Sequence, residues 1–287
     1  MNLEDYLNEH YTTDTAKLYL QEIDRYRASC PGAATAVYKD ILDYVGALRT
    51  RYSNPSTLNR ILCSLKAYYG YLCASGQRPD NPAKSILLKD QRSRDIQLQD
   101  LLTMEELEVL LNRPERYPHL AGRNKVLISL LIYQALYPVE MEALRVGDIH
   151  LEAGTVRTQA TAKTNGRELS LKPSQILLFY AYIREMRPLL LKDRTSDRLL
   201  IGGRGEPMSA EDITKHVKRS FTERYPGRTV NAQTIRQSVI AHLLKQGHDL
   251  SVVQAFAGHK YPSSTERYRQ SEIETLKAAI ERYHPMQ

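Results

Sequence analysis

Arg236, His259 and Tyr268, all in the last sixty residues, carry side chains that together can act on a phosphate. A guanidinium forks onto two anionic oxygens, and an imidazole exchanges protons near neutrality. A phenol becomes a nucleophile only as it loses its proton, which at a pKa of about 10 requires help from its surroundings. Tyr268 alone would mean little among 19 tyrosines, most of them expected as half-buried packing residues. Its spacing is more telling. Gln233-Thr234-Ile235-Arg236 opens a helix that runs through Leu243-Leu244 and stops at Gly247. Asp249 to Gln254 starts the next, Ala257-Gly258-His259 turns out of it, and Tyr268 follows nine residues after the histidine. Gln233 carries an amide that can donate to a phosphate oxygen. Lys163 lies just before Asn165-Gly166. No HExxH motif or carboxylate cluster of ligand spacing is present, so no metal and no cofactor are expected. Charge building on a phosphoryl group can be met by arginine, lysine and histidine alone.

The elements that must hold these residues follow from periodicity. Helices are expected from Thr13 to about Ala28, from about Ala34 to Leu48, and after Ser53-Asn54-Pro55-Ser56 as far as Ala74-Ser75-Gly76. Gln77 to Asp100 changes character, with Pro79, Pro82, Lys84, Lys89, Arg92 and Arg94 among few apolar residues. It reads as an extended basic linker, either a solvated hinge or a strap over a polyanion backbone. Thr103-Met104-Glu105-Glu106 is a capped helix start, and Lys125 to Leu136 is an apolar helix. From Asp148 to Leu171 the pattern switches to strands, with Asn165-Gly166 as a two-residue hairpin turn. Helix is expected in the remainder to Tyr283, ending in an amphipathic stretch with Ile273, Leu276, Ile280 and Tyr283 on one face.

This C-terminal pattern resembles the active-site box of the tyrosine recombinases, the phage-integrase and Xer-like family, which cut DNA by attack of a tyrosine hydroxyl on a phosphodiester. The likeness extends along nearly the whole chain, including Leu58-Asn59-Arg60 through Asn81-Pro82-Ala83. It implies a mainly α protein with two domains. A helical, SAM-like core-binding domain that grips DNA would span 1–90, a basic linker 91–101, and an α+β catalytic domain with a small β-hairpin sheet 102–287. It also implies Tyr268 as nucleophile, Arg236 on the scissile phosphate and His259 bonded to that phosphate or assisting the tyrosine's proton transfer. Lys163 would be the general acid for the leaving 5′-oxygen, with Gln233 where the family has histidine. The reaction would pass through a 3′-phosphotyrosyl linkage, within a tetramer assembled on double-stranded DNA. The tail helix would dock on its own domain or on a neighbouring protomer.

One departure stands out. Tyr133 to Ile149 is similar to the family's first box, T-G-L-R-x-S-E-L-x-x-L-x-x-x-D: Leu136, Glu140, Leu144 and Asp148 fall in place, but the arginine position holds Tyr137. A phenol brings no charge and at most one donor. Losing a pre-placed donor costs on the order of 10²–10³ in rate, unless Arg123, Lys125 or Arg145 swings in. The rival expectation is therefore a recombinase-like DNA-binding subunit, impaired in catalysis, that works beside an active recombinase partner. A helix-turn-helix regulator is a third reading, but it leaves the hairpin idle.

Bulk composition agrees with a two-domain protein. The 287 residues are 42% apolar and 25% charged, with net charge +7 and a pI near 9.2. That balance favours a polyanionic partner. Cys30, Cys63 and Cys73 are odd in number and irregularly spaced, so free thiols are expected rather than a disulfide framework. No apolar run reaches the roughly 18 residues of a membrane span, and the acidic N-terminus is unlike a signal peptide. Cytoplasmic residence is expected.

Overall fold

A computed structural model of the chain describes residues 2–88, 101–221, 225, 228 and 230–268. It separates into two compact units, Met1–Arg94 and Asp95–Gln287. The basic linker from 91 onward and the amphipathic tail from Ser271 to Tyr283 lie outside the described residues, apart from residue 101.

The first unit holds α1 (Leu3–His10), α2 (Thr13–Ser29), α3 (Tyr38–Arg51) and α4 (Pro55–Ala74). Helix α1 was not anticipated, although Asn2 and Asp5 form a capping box at its start. Helix α3 begins at Tyr38 rather than near Ala34, because Asp40 accepts from the Val37 backbone N–H at 2.8 Å while Ala33 and Ala36 are buried in the loop before it. The core joins Leu7, Ile23, Ile41, Leu62, Leu65 and Leu72. Within it Tyr26 and Tyr69 share a 2.7 Å hydroxyl contact, and Tyr69 donates onward to the Ala33 carbonyl at 2.8 Å. The segment after α4 does not begin as an open linker. Ala83 and Ile86 are buried in this core, and Asn81 donates to the Lys66 carbonyl at 2.9 Å.

The second unit is built around α6 (Ala121–Tyr133), whose residues 126–132 are all buried. A helix apolar on every side belongs at the centre of a domain, and α5 (Met104–Leu111), α8 (Pro173–Ala181) and α11 (Ala232–Lys245) pack around it. The capping box predicted at Thr103 is present, with Glu106 as its partner. Between α7 (Pro138–Ala143) and α8 stands an antiparallel sheet in the order β1 (Ile149–His150), β2 (Thr155–Thr158), β3 (Arg167–Ser170). Helices α9 (Arg187–Leu191), α10 (Ala210–Phe221) and α12 (Leu250–Ala257) follow. The architecture is mainly α with a small three-stranded sheet, as expected.

The hairpin departs from its expected turn. Pairing ends at Thr158↔Arg167, so residues 159–166 form a longer loop and Asn165-Gly166 is not a two-residue turn. Thr161 and Thr164 make their own tight turn, with the Thr161 N–H on the Thr164 carbonyl at 2.9 Å. Asn165 is drawn elsewhere: its N–H donates to the Gly258 carbonyl at 2.8 Å, and Thr164 pairs with His259 as an isolated bridge. A long-range backbone contact thus overrides the local preference of Asn-Gly.

Candidate active site

The α12 C-terminus, the hairpin loop and the start of α7 converge on Arg236. This arginine sits on the second turn of α11 and is 0% exposed. Its two terminal nitrogens donate to the carbonyls of Ala135 and Ala257, the latter at 2.6 Å, while Nε is buried without a partner. Burial pushes the guanidinium below its ordinary value, and the neighbouring Tyr137 and Glu140 oppose that shift. The Tyr137 ring lies over it, 4.0 Å from ring centroid to the guanidinium carbon, a cation–π contact. Ala135, which hands its carbonyl to Arg236, adopts φ +48°, a conformation that costs a residue with a Cβ about 1 kcal/mol or more.

His259 follows Gly258, which ends α12 with φ +69°. A Cβ on that glycine would fall 2.5 Å from Arg167 Nη1 and 3.1 Å from the Asn165 carbonyl, so the turn admits glycine alone. The histidine is buried, and its Nδ1 shares a 2.8 Å hydrogen bond with Thr265 Oγ1, itself 0% exposed. Burial, with Arg236 and Arg167 adding repulsion, pushes the imidazole down to about 4. It is therefore neutral at pH 7, and Thr265 orients it by holding one nitrogen.

Tyr268 lies in a helical stretch from 263 through 268. Only 5% exposed, it packs against Ile240, Val253 and Ala257. Its ring is nearly parallel to that of His259, with an interplanar angle of 15° and centroids 6.5 Å apart. Burial pushes the phenol up to about 12; the Arg236 charge opposes this and Tyr137 adds to it. The hydroxyl is therefore protonated at neutral pH.

The structure thus brings Arg236, His259 and Tyr268 together. It leaves Lys163 and Gln233 exposed, with no side-chain bond to a described residue. Lys163 nevertheless belongs to the docked loop, since its neighbour Thr164 donates to Glu140 at 2.7 Å. The three cations considered as replacements at position 137 are placed elsewhere. Arg123 bonds the Ile201 carbonyl and Met208, Arg145 pairs with Asp197 at 2.6 Å, and Lys125 is an exposed residue of α6.

Sequence reasoning missed Arg167. This residue on β3 pairs with Glu140 at 2.6 Å, donates from Nε to the Phe256 carbonyl at 2.7 Å, and has a side chain only 8% exposed. Burial alone would raise the Glu140 carboxyl, but Arg167, the Tyr137 N–H and Thr164 outweigh it and hold it below the usual range. Arg167 follows Asn165-Gly166 directly, so the sequence presented it as an ordinary hairpin charge. Thr265 was equally silent, because nothing local marks a threonine that bonds back to a histidine six residues earlier.

Comparison with known families places the chain as a whole. The model of the phage integrase family matches residues 100–275. The chain belongs to the phage integrase family. Among relatives in that family, it is 26% identical over 247 residues to the tyrosine recombinase XerD of Halalkalibacterium halodurans, covering 85% of this chain and 81% of that protein. It is 24% identical over 282 residues to the tyrosine recombinase XerD of Staphylococcus aureus, covering 98% and 88%. Among solved structures, the Tn1549 transposon integrase in complex with a circular intermediate DNA superposes with a TM-score of 0.73 at 17% identity, covering 96% of this chain and 99% of that one. The XerH site-specific recombinase bound to a palindromic difH substrate gives 0.72 at 20% identity, covering 93% and 78%. At those identities the structural likeness speaks to the fold.

Proposed function

We propose that this integrase-family protein is a site-specific DNA recombinase whose nucleophile is Tyr268. The observation that carries the reading is the shared site of a buried guanidinium, a neutral imidazole and a buried phenol on Arg236, His259 and Tyr268. In the first step Tyr268 Oη bonds to phosphorus as the bond from phosphorus to the 5′-oxygen breaks. The phenolic proton passes to water, and the leaving oxygen takes a proton from Lys163 at the docked hairpin loop. The product is a 3′-phosphotyrosyl linkage and a free 5′-hydroxyl. Attack by a 5′-hydroxyl from another strand reverses the exchange and restores the phenol, so the number of phosphodiester bonds is unchanged. Arg236 supplies the cation under the phosphate, His259 a hydrogen bond to a non-bridging oxygen, and Gln233 an amide donor from the first turn of α11.

The partner is duplex DNA, in keeping with the net charge of +7. The helical unit would bind it mainly through phosphates, and the protein would assemble as a tetramer around two sites. The covering of Arg236 by the Tyr137 ring favours a second reading, an accessory subunit that binds DNA beside an active recombinase. Incubation with fragmented genomic DNA, a detergent stop and recovery of protein-linked DNA separates the two. Adducts that disappear in Tyr268→Phe support the recombinase; salt-sensitive binding without adducts supports the accessory subunit.

A further inference from the structure

The Tyr137 hydroxyl is a polar group of the Arg236 cluster that none of the contacts described above uses. The ring is pinned face-on to the guanidinium at 4.0 Å, and the backbone N–H is fixed on Glu140 at 2.8 Å. The side chain is half-buried, and its hydroxyl bonds to no described residue. Beneath it, Arg236 is sealed at 0% exposure with an unpartnered Nε, an orphan donor in a protein interior. The phenol of the ring that covers it interacts electrostatically with both Arg236 and Tyr268.

We propose that Tyr137 is a catalytic residue, in which Arg236 clamps the ring from below and the free hydroxyl donates a hydrogen bond to a non-bridging oxygen of the phosphate attacked by Tyr268. The proposal rests on the recombinase reading for its reaction but not for its binding chemistry. A guanidinium against the ring face withdraws electron density from the phenol and strengthens its O–H as a donor. The arrangement replaces a second charged fork with one neutral donor on a positively charged support. It predicts a phosphate site in which the arginine acts through the ring, with no cation at position 137.

Two variants separate the hydroxyl from the ring. Tyr137→Phe keeps the stack and loses only the donor; Tyr137→Leu loses both. The binding readout is inorganic vanadate, a pentacoordinate phosphate mimic, titrated by ⁵¹V line broadening in the absence of DNA. The reaction readout is the rate of covalent capture of fragmented genomic DNA. Tyr137→Phe should melt as the wild type does and bind vanadate about 5-fold more weakly, the effect of one hydrogen bond. Its capture should be slower by about 10². Tyr137→Leu should lose at least as much on both readouts. Equal vanadate affinity in wild type and Tyr137→Phe would overturn the proposal, as would a wild type that takes up no vanadate. Vanadate binding weakened by Tyr137→Phe, in a wild type that forms no covalent DNA, would uphold the phosphate contact and overturn the recombinase reading instead. Adducts that survive in Tyr268→Phe and vanish in Tyr137→Phe would show the second phenol acting as nucleophile, contrary to the donor role.

Discussion

Arg167→Met offers a test of how the hairpin loop is tied to the Gly258-His259 turn. In the wild type the Glu140 carboxylate, its side chain 0% exposed, accepts from Arg167 at 2.6 Å, Thr164 at 2.7 Å and the Tyr137 N–H at 2.8 Å. Removing the guanidinium leaves two neutral donors on a buried charge and frees the Phe256 carbonyl that Nε held at 2.7 Å. Deleting one partner of a buried ion pair costs about 3–5 kcal/mol. For a unit of this size that lowers the melting temperature by roughly 10 °C. The sign with pH follows from the depressed Glu140 carboxyl. The pair's stabilisation is fully present above the ordinary carboxylate value of about 4.5 and is lost as pH falls through the lower folded value. The gap between wild type and Arg167→Met in urea unfolding should therefore be wide at pH 7 and narrow progressively once pH falls below about 4.5. Adding Glu140→Gln to Arg167→Met should recover much of the loss, because no buried charge then lacks a partner. A cost under about 1 kcal/mol, or strict additivity of the two changes, would refute the view that this pair anchors the loop.

Gly258→Ala should abolish covalent capture while the helical unit keeps its fold, since the new Cβ meets Arg167 at 2.5 Å in a left-handed turn; nuclear magnetic resonance of the amide region, alongside the capture assay, checks both halves. Thr265→Val removes the bond that orients His259 and should slow capture about 10-fold or more with a shifted pH profile, whereas Thr265→Ser should restore both. His259 and His216 are each pushed down to about 4, in both cases first by burial. The unfolded chain takes up these protons first, so stability present above pH 6.5 should fall as pH drops from about 6.5 to 4. The loss is at most about 3 kcal/mol for each imidazole, and less for the partly exposed His216. Urea titrations at pH 7 and pH 4.5 measure it, and His216→Leu should flatten the slope.

Much of this was legible in the sequence because the relevant signals are local. The capping box at Thr103 and Glu106, the apolar run from Val126 to Ile132 and the stop at Gly258 each fix an element through neighbours a few residues away. Arg236, His259 and Tyr268 were visible for the same reason, being set by two short helices and one turn. The misreadings share a different cause. Asn165-Gly166 reads as a tight turn until the Gly258 carbonyl, distant in sequence, claims the Asn165 N–H. Arg167 and Thr265 look like surface residues until a carboxylate and an imidazole from other elements bury them. Tyr137 reads as a lost arginine, and only the packing shows its ring on Arg236. Local patterns specify elements, but partners far apart in sequence are specified by packing alone.

The most direct test of the central claim is to identify the atom that carries the DNA. Wild-type protein incubated with fragmented genomic DNA, stopped in detergent, digested with nuclease and protease and read by mass spectrometry should yield one modified peptide, with a nucleotide joined through its 3′-phosphate to Tyr268. A nucleotide on another tyrosine, a 5′-linkage, or no adduct from protein that demonstrably binds the DNA would contradict it.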